Sequence, residues 1–234
     1  MNTFTWNGVN CADFNIICSN GGTYGAPERD VQTIDIPGRN GPLIVDNGRF
    51  KNISVTFQCY VRKGFGTNAA DIRAWLRSAY GYRRLEDDAH PDEYRMARPV
   101  GEIVFEPMYT DKEANINIEF DCLPQRFLTS GEATVTKTAS GGYITNPTQF
   151  DALPLITVNG TGSGTVTVGS TRISISDIGT SVTLDCEIMR AYNGNTARDS
   201  TITGKFPALV PGRNNIRFDG GVTSVEITPR WWTI

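Results

Sequence analysis

Residues 34–61 read IDIPGRNGPLIVDNGRFKNISVTFQCYV, and the fold turns on this stretch. Its second half alternates. Ile53, Val55, Phe57, Cys59 and Val61 point one way, and Asn52, Ser54, Thr56, Gln58 and Tyr60 point the other. A period of two marks a strand with one buried face. The first half is punctuated by Pro37-Gly38, Gly41-Pro42 and Asn47-Gly48. Proline fixes φ and glycine admits positive φ, so residues 37–48 read as a stiff, solvated loop with Arg39 at its crest. A single guanidinium held out on such a loop suits contact with a neighbouring molecule better than a reaction centre.

Working outward, residues 3–18 form a first hairpin around the Asn7-Gly8 turn, and residues 31–36 form a strand that leads into Pro37. Beyond Val61, Ala69, Ile72, Trp75, Leu76 and Ala79 follow the spacing of one helix face, with Asn68 as cap, Asp71 completing a capping box and Gly81 as the stop. Arg73 and Arg77 share the solvent side and repel slightly, so a partner carboxylate is expected. Residues 82–106 hold strand-like pieces around an acidic turn. At residues 114–122 strict alternation returns through Ile116, Ile118, Phe120 and Cys122. This strand matches 52–61 in length and pattern, so the two are expected to share an antiparallel sheet packed on the helix.

The composition changes near Leu128. Residues 1–128 read as an α+β domain, 129–145 as a linker, and 146–234 as a β-sandwich built of short strands at 155–158, 165–168, 171–176, 181–189, 215–218 and 222–228. Asn159-Gly160 and Asp219-Gly220-Gly221 are among the turns. The fold class is therefore mainly β, with one helix on an antiparallel sheet followed by a β domain.

A charged fraction of 20% and a hydrophobic fraction of 39% fit a globular chain of 234 residues. The net charge of −3 exerts no bulk pull on nucleic acid or an anionic membrane. No apolar run approaches the roughly 20 residues of a membrane helix. The N-terminus lacks the basic and apolar parts of a signal peptide, so synthesis in the cytoplasm is expected. The five cysteines are scattered, odd in number and without a C-x-x-C, which reads as small buried hydrophobes.

Reactive chemistry is poorly supplied. The one histidine, His90, lies in the acidic turn DDAHPDEY, with neither a nucleophile elbow nor a second imidazole, so no catalytic, metal or cofactor site is assigned. Asp185 and Glu187 share a strand face and could be offered as a glycosidase pair, but nothing else converges on them. The 160–164 glycines lack a phosphate-loop order. Arg83 and Arg84, with Tyr80 and Tyr82, form a basic-aromatic patch of the kind favoured between protein copies. Trp232 and Tyr192 could stack on a sugar or a partner.

The order of parts resembles a known family. IPGRNGPL leads to DNGRFKNISVTFQCYV, then NAADIRAWLRSAYG, RRLEDD, YRMARP and NINIEFDCLPQRFL. NPTQFDALPLITVNGTGSGTVTV, KFPALVPGRNNI and the closing VEITPRWW complete the chain. This series is similar to the distal tail proteins of phages with long, non-contractile tails. The resemblance implies a structural virion protein, not an enzyme, whose N-terminal domain closes into a homohexameric ring at the end of the tail tube. It further implies a galectin-like C-terminal sandwich and a central channel through which DNA passes without specific binding. The implied partners are the tail-tube protein above, a tail-associated lysin or fibre hub below, and receptor-binding proteins, with no membrane contact. Within that frame Arg39, Asn40, Arg83 and Arg84 are expected at the subunit interface. A lectin-like module using Trp232 or Tyr192 is the alternative.

Overall fold

The protein is described here by a computed structural model, over residues 2–23, 25–108 and 112–234. The chain divides into two compact units, residues 1–126 and 127–233, each with its own core. The first contains β1 (Phe4–Trp6), β2 (Val9–Asn10), β3 (Ile16–Cys18), β4 (Arg29–Ile34), β5 (Leu43–Phe50), β6 (Ile53–Val61), α1 (Phe65–Arg77), β7 (Arg83–Asp87), β8 (Glu93–Val100), β9 (Phe105–Met108) and β10 (Glu113–Leu128), the last running past the boundary. Seven of these strands line up as β2-β1-β7-β8-β10-β6-β3, and β9 adds to β10. The first hairpin turns at Asn7-Gly8, whose φ angles of 51° and 80° are those the dipeptide tolerates.

The two alternating strands share an antiparallel sheet as expected, and they are direct neighbours in it. β6 and β10 run antiparallel in unbroken register from Ala114↔Val61 to Cys122↔Ile53. Cross-strand partners share a face, so Val55, Phe57, Ile118 and Phe120 enter one core. The helix closes that core with Ile72, Trp75 and Leu76. Aromatic rings weld the layers: Phe4 lies 4.6 Å from Phe57, 5.5 Å from Phe120 and 5.8 Å from Trp75, centroid to centroid. Separations of this order add about 0.5–1.5 kcal/mol per pair beyond the buried area.

The helix ends differ from the sequence expectation. Its N-cap is Gly64 at φ 69°, without a side-chain cap, and Asn68 lies inside the first turns, its amide donating to the Phe14 carbonyl at 3.4 Å. The Phe65 N–H, bonded to the Lys112 carbonyl at 3.0 Å, fixes the start instead. The helix ends before Ser78, short of Gly81. Among the described residues no carboxylate pairs with Arg73 or Arg77. The Arg73 guanidinium lies 5.1 Å from the Phe105 ring, and Arg77 donates to the Pro99 and Gly101 carbonyls.

The second unit contains β11 (Val135–Lys137), β12 (Gly142–Asn146), β13 (Leu155–Val168), β14 (Thr171–Ile175), β15 (Ser181–Asp185), β16 (Arg190–Asn193), β17 (Thr196–Ala197), β18 (Ile202–Gly204), β19 (Gly212–Thr228) and β20 (Trp232–Thr233). Residues 129–145 are not a linker. β11 and β12 both pair with β19, so this stretch is part of the sheet. Asn146 is buried and donates to the Phe150 and Leu209 carbonyls at 2.8 Å, a role its Asn-Pro context hid.

The short strands expected around the glycines are two long ones. β13 and β19 pair along almost their whole length, with a register break between Asn159 and Gly164. The glycine stretches lie opposite each other at that break. A Cβ on Gly221 would sit 1.7 Å from the Thr161 carbonyl oxygen, and one on Gly160 would sit 2.1 Å from that of Gly221. They are therefore a bulge and not chain reversals. On one side of it β13 pairs with β15, and on the other with β14, so one curled sheet surrounds a core of Ile156, Val158, Ile173, Leu184, Ile216 and Ile227. Gly221→Ala should lower the stability of the second unit by about 2–3 kcal/mol through forced backbone movement. A thermal melt unchanged from wild type would show that the bulge yields freely.

Candidate subunit interface

Half of the stretch read as a stiff loop is strand. β4 and β5 form a two-stranded sheet of their own, in register from Gln32↔Val45 to Ile34↔Leu43, and only residues 35–42 make the tip. Gly38 and Gly41 bend it at φ 82° and 79°, and the Arg39 N–H donates to the Ile36 carbonyl. Arg39 and Asn40 sit side by side there, both exposed.

Along this hairpin, side chains that normally seek a core face water. Val31, Ile34, Ile36, Leu43 and Val45 are each about 40% exposed and Ile44 is 63% exposed. Cross-strand partners share a face, so Ile34, Leu43 and Val45 line one side while Val31 and Ile44 line the other. Three ion pairs grip the base: Arg29–Asp46 at 2.8 Å, Arg49–Asp30 at 2.7 Å and Lys51–Glu28 at 3.2 Å. The Gly48 N–H and Arg29 hold the Asp46 carboxyl below its usual range. Exposed pairs of this kind contribute little, and an isolated two-stranded hairpin is marginal in water. A contiguous apolar surface on both faces marks a binding element.

The other interface candidates lie on a different sheet and divide. Arg83 is exposed on β7, and Tyr80 nearby is 96% exposed. Arg84 is occupied within the chain, bonded to Glu86 at 2.7 Å with its guanidinium 3.8 Å over the Tyr94 ring. Tyr82 donates to Asp121 at 2.8 Å and receives Asn52 at 2.7 Å. The basic-aromatic patch thus supplies Arg83 and Tyr80 outward, and Arg84 and Tyr82 inward.

In the second unit Tyr192 lines a shallow depression of about 380 Å³ with Ile188, Arg190 and Asn195. Trp232 is not part of it. Its ring stacks on Phe150 at 4.5 Å and its Nε1 donates to the Asp151 carbonyl at 2.9 Å, while Trp231 is core.

The carboxylate pair is tied down. Arg230 reaches Asp185 with two bonds, of 2.8 and 3.2 Å, and Glu187 at 3.3 Å. Burial pushes Asp185 up, but the Arg230 hydrogen bond and charge, with the Glu187 and Ile188 N–H groups, outweigh it and hold the carboxyl below its usual range. A glycosidase acid needs the opposite shift. His90 Nδ1 lies 2.9 Å from Asp87, which also accepts backbone N–H groups in the same turn. Among the described residues no three metal-binding side chains cluster.

The architecture has counterparts among solved structures. The Dit protein of phage SPP1, described as a paradigm of the hub adsorption apparatus in phages infecting Gram-positive bacteria, matches over 100% of both chains, with a TM-score of 0.77 and 12% identity. The chain has the fold of a phage Dit protein. Chains from the phage P2 baseplate in its activated conformation match at TM-scores of 0.54 with Ca and 0.53 with Sr, at 8% and 7% identity. These cover 97% of this chain, and 97% and 98% of the baseplate chains. No family model and no curated protein matches the sequence. The Dit fold persists here at low identity because alternation and aromatic packing, not particular residues, specify it.

Arg230→Met should destabilise the second unit of this Dit-like chain by about 1–2 kcal/mol at pH 7, between the values for exposed and buried pairs. The Asp185 carboxyl is depressed in the folded state, so the pair's contribution is complete above about pH 4 and fades as pH falls through the folded value. Denaturant melts of the two proteins should therefore converge in acid. A constant gap down to pH 2 would contradict the assignment.

Proposed function

We propose that this chain is a structural protein of a phage tail tip, assembling through the β4–β5 hairpin into a closed ring of six copies. The observation that carries this reading is the hairpin itself, whose apolar residues face water on both sides in a chain with the fold of a Dit hub protein. Identical subunits close into a ring only through a heterologous interface, in which one surface meets a different surface of the next copy. A projecting two-faced hairpin is such a surface. Arg39 and Asn40 at its tip, with Arg83 on β7, are the polar contacts of that interface, and Arg84 steadies β7 from within.

In this reading the ring sits in the virion at the far end of the tail tube, after synthesis in the host cytoplasm. The tail-tube protein adjoins one side of the ring, and a tail-associated lysin or fibre hub with receptor-binding proteins adjoins the other. DNA leaves through the central channel without specific binding. The second unit, read as galectin-like, is an attachment surface. The Arg-clamped Asp185 and Glu187 accord with a protein that performs no hydrolysis. A second reading, a lectin-like module, has in its favour the depression beside Tyr192 and the exposed Ile188 and Met189. Binding of the isolated protein to cell-wall glycans, lost in Tyr192→Ala, would favour it.

Light scattering of the purified chain should give the mass of a multimer, six copies at saturation. Ile44→Asp should yield a folded monomer, because a charge in the apolar face opposes burial. Arg39→Ala should raise the assembling concentration several-fold, in line with removing one guanidinium contact from an interface. A strictly monomeric wild type would remove the ring, and assembly indifferent to both substitutions would remove the hairpin from it.

A further inference from the structure

We infer that Cys18 and Cys59 are a site of oxidative modification, a pair of thiols that closes to a disulfide between β3 and β6, the strands before and after the hairpin. The two residues are direct cross-strand partners in β3 and β6, with their sulfurs 3.0 Å apart. The ladder bonds flanking them run from Ser19 N to Gln58 O and from Arg62 N to Asn15 O, while Cys18 N donates the other way, to Asn2 O. Cys18 and Cys59 therefore occupy a non-hydrogen-bonded position, where opposed Cα atoms lie about 4.5 Å apart. That separation falls within the range a disulfide spans, and the sulfurs need to close by only about 1 Å. Among the other cysteines, Cys122 and Cys186 have no such opposite thiol: Cys122 faces Ile53, and Cys186 belongs to the second unit.

The bond would do something specific. β3 ends the strand order next to β6, and on its other side it has only the Asn2–Cys18 bridge. The segment between the two cysteines carries the whole β4–β5 hairpin. Joining them ties the strand that enters the hairpin to the strand that leaves it. The thiols are only 4% and 6% exposed, so the oxidant must be as small as hydrogen peroxide. One sulfur attacks the peroxide, forming a sulfenic acid and releasing water, and the second thiol displaces the hydroxyl as another water. Two S–H bonds and one O–O bond are broken, and one S–S bond and two waters result. A reducing cytoplasm keeps the pair open. If the proposed tail-tip role holds, which this consequence alone rests on, the bond forms after particles leave the cell.

The full-length protein, reduced and then treated with hydrogen peroxide, should lose the mass of two hydrogen atoms. Peptide mapping after alkylation should place the bond at Cys18–Cys59. Closing a loop of about 40 residues should raise the melting temperature by roughly 10 °C, reversibly with dithiothreitol. Cys59→Ser should lose both changes and Cys11→Ser should keep both, each compared with its own reduced form so that altered stability does not confuse the reading. Five alkylatable thiols after oxidation, a bond mapped to Cys11–Cys18, or a bond without a rise in melting temperature would each overturn the inference. Light scattering on the same samples reads assembly separately, so a failed ring and a failed disulfide are distinguishable.

Discussion

Packing of Phe4, Trp6, Phe57, Trp75 and Phe120 against one another is the contact on which the first unit depends. These residues come from four separate elements, β1, β6, α1 and β10, and their rings meet at stacked, tilted and edge-on angles. Trp75 adds a directional bond, its Nε1 donating to the Trp6 carbonyl at 3.4 Å, and Trp6 Nε1 reaches the Ala97 carbonyl at 3.2 Å. The helix is thereby fastened to the sheet at one place and orientation. Truncating a ring such as Phe57 would cost about 3–5 kcal/mol, a large share of a domain's margin. The rigidity passes to β6, which has one face in this cluster and continues back into β5 through only Lys51 and Asn52. The hairpin, with its apolar side chains largely exposed, is thereby tied through β6 to this core.

The parts of the fold that were legible in the sequence are those with one wet and one dry face. β6 and β10 alternate, and their place in one antiparallel sheet was legible from the matched patterns, whereas their register is seen only in the structure. The helix was legible from Ala69, Ile72, Trp75 and Leu76, though not its ends, because Gly64 at positive φ and a backbone bond to Lys112 replaced the side-chain cap that Asn68 advertised. β5 was misread for a physical reason. A strand with no buried face has no alternation to show, and Gly41-Pro42 just before it and Asn47-Gly48 within it look like loop. In the second unit the glycines of residues 160–164 and 219–221 signal a break in either chain alone. Only their meeting across the β13–β19 ladder turns two apparent turns into one bulge.

Interface candidates were recoverable as residue types, not as contacts. Arg84 and Tyr82 looked as available as Arg83 and Tyr80 until the ring of Tyr94 and the carboxylate of Asp121 were seen to occupy them. The same holds for the acids. Asp30, Asp46, Asp121, Asp177, Asp185 and Asp199 are all shifted downward, each with an arginine beside it. Active sites separate the acidities of neighbouring groups to obtain both a donor and an acceptor of protons. Here the shifts run one way, as they do where charge serves geometry. The excess of arginine over lysine in the composition hinted at this, because a planar fork fixes a carboxylate in two directions while an ammonium does not.

The hairpin's exposure has an evolutionary corollary. A half-exposed side chain contributes less to folding than a buried one, so mutations at Val31, Ile34, Leu43, Ile44 and Val45 meet weaker folding selection than those in the aromatic core. Pressure to keep those five positions apolar then comes in good part from a surface outside the molecule, and their drift among related chains would trace the changing shape of that surface.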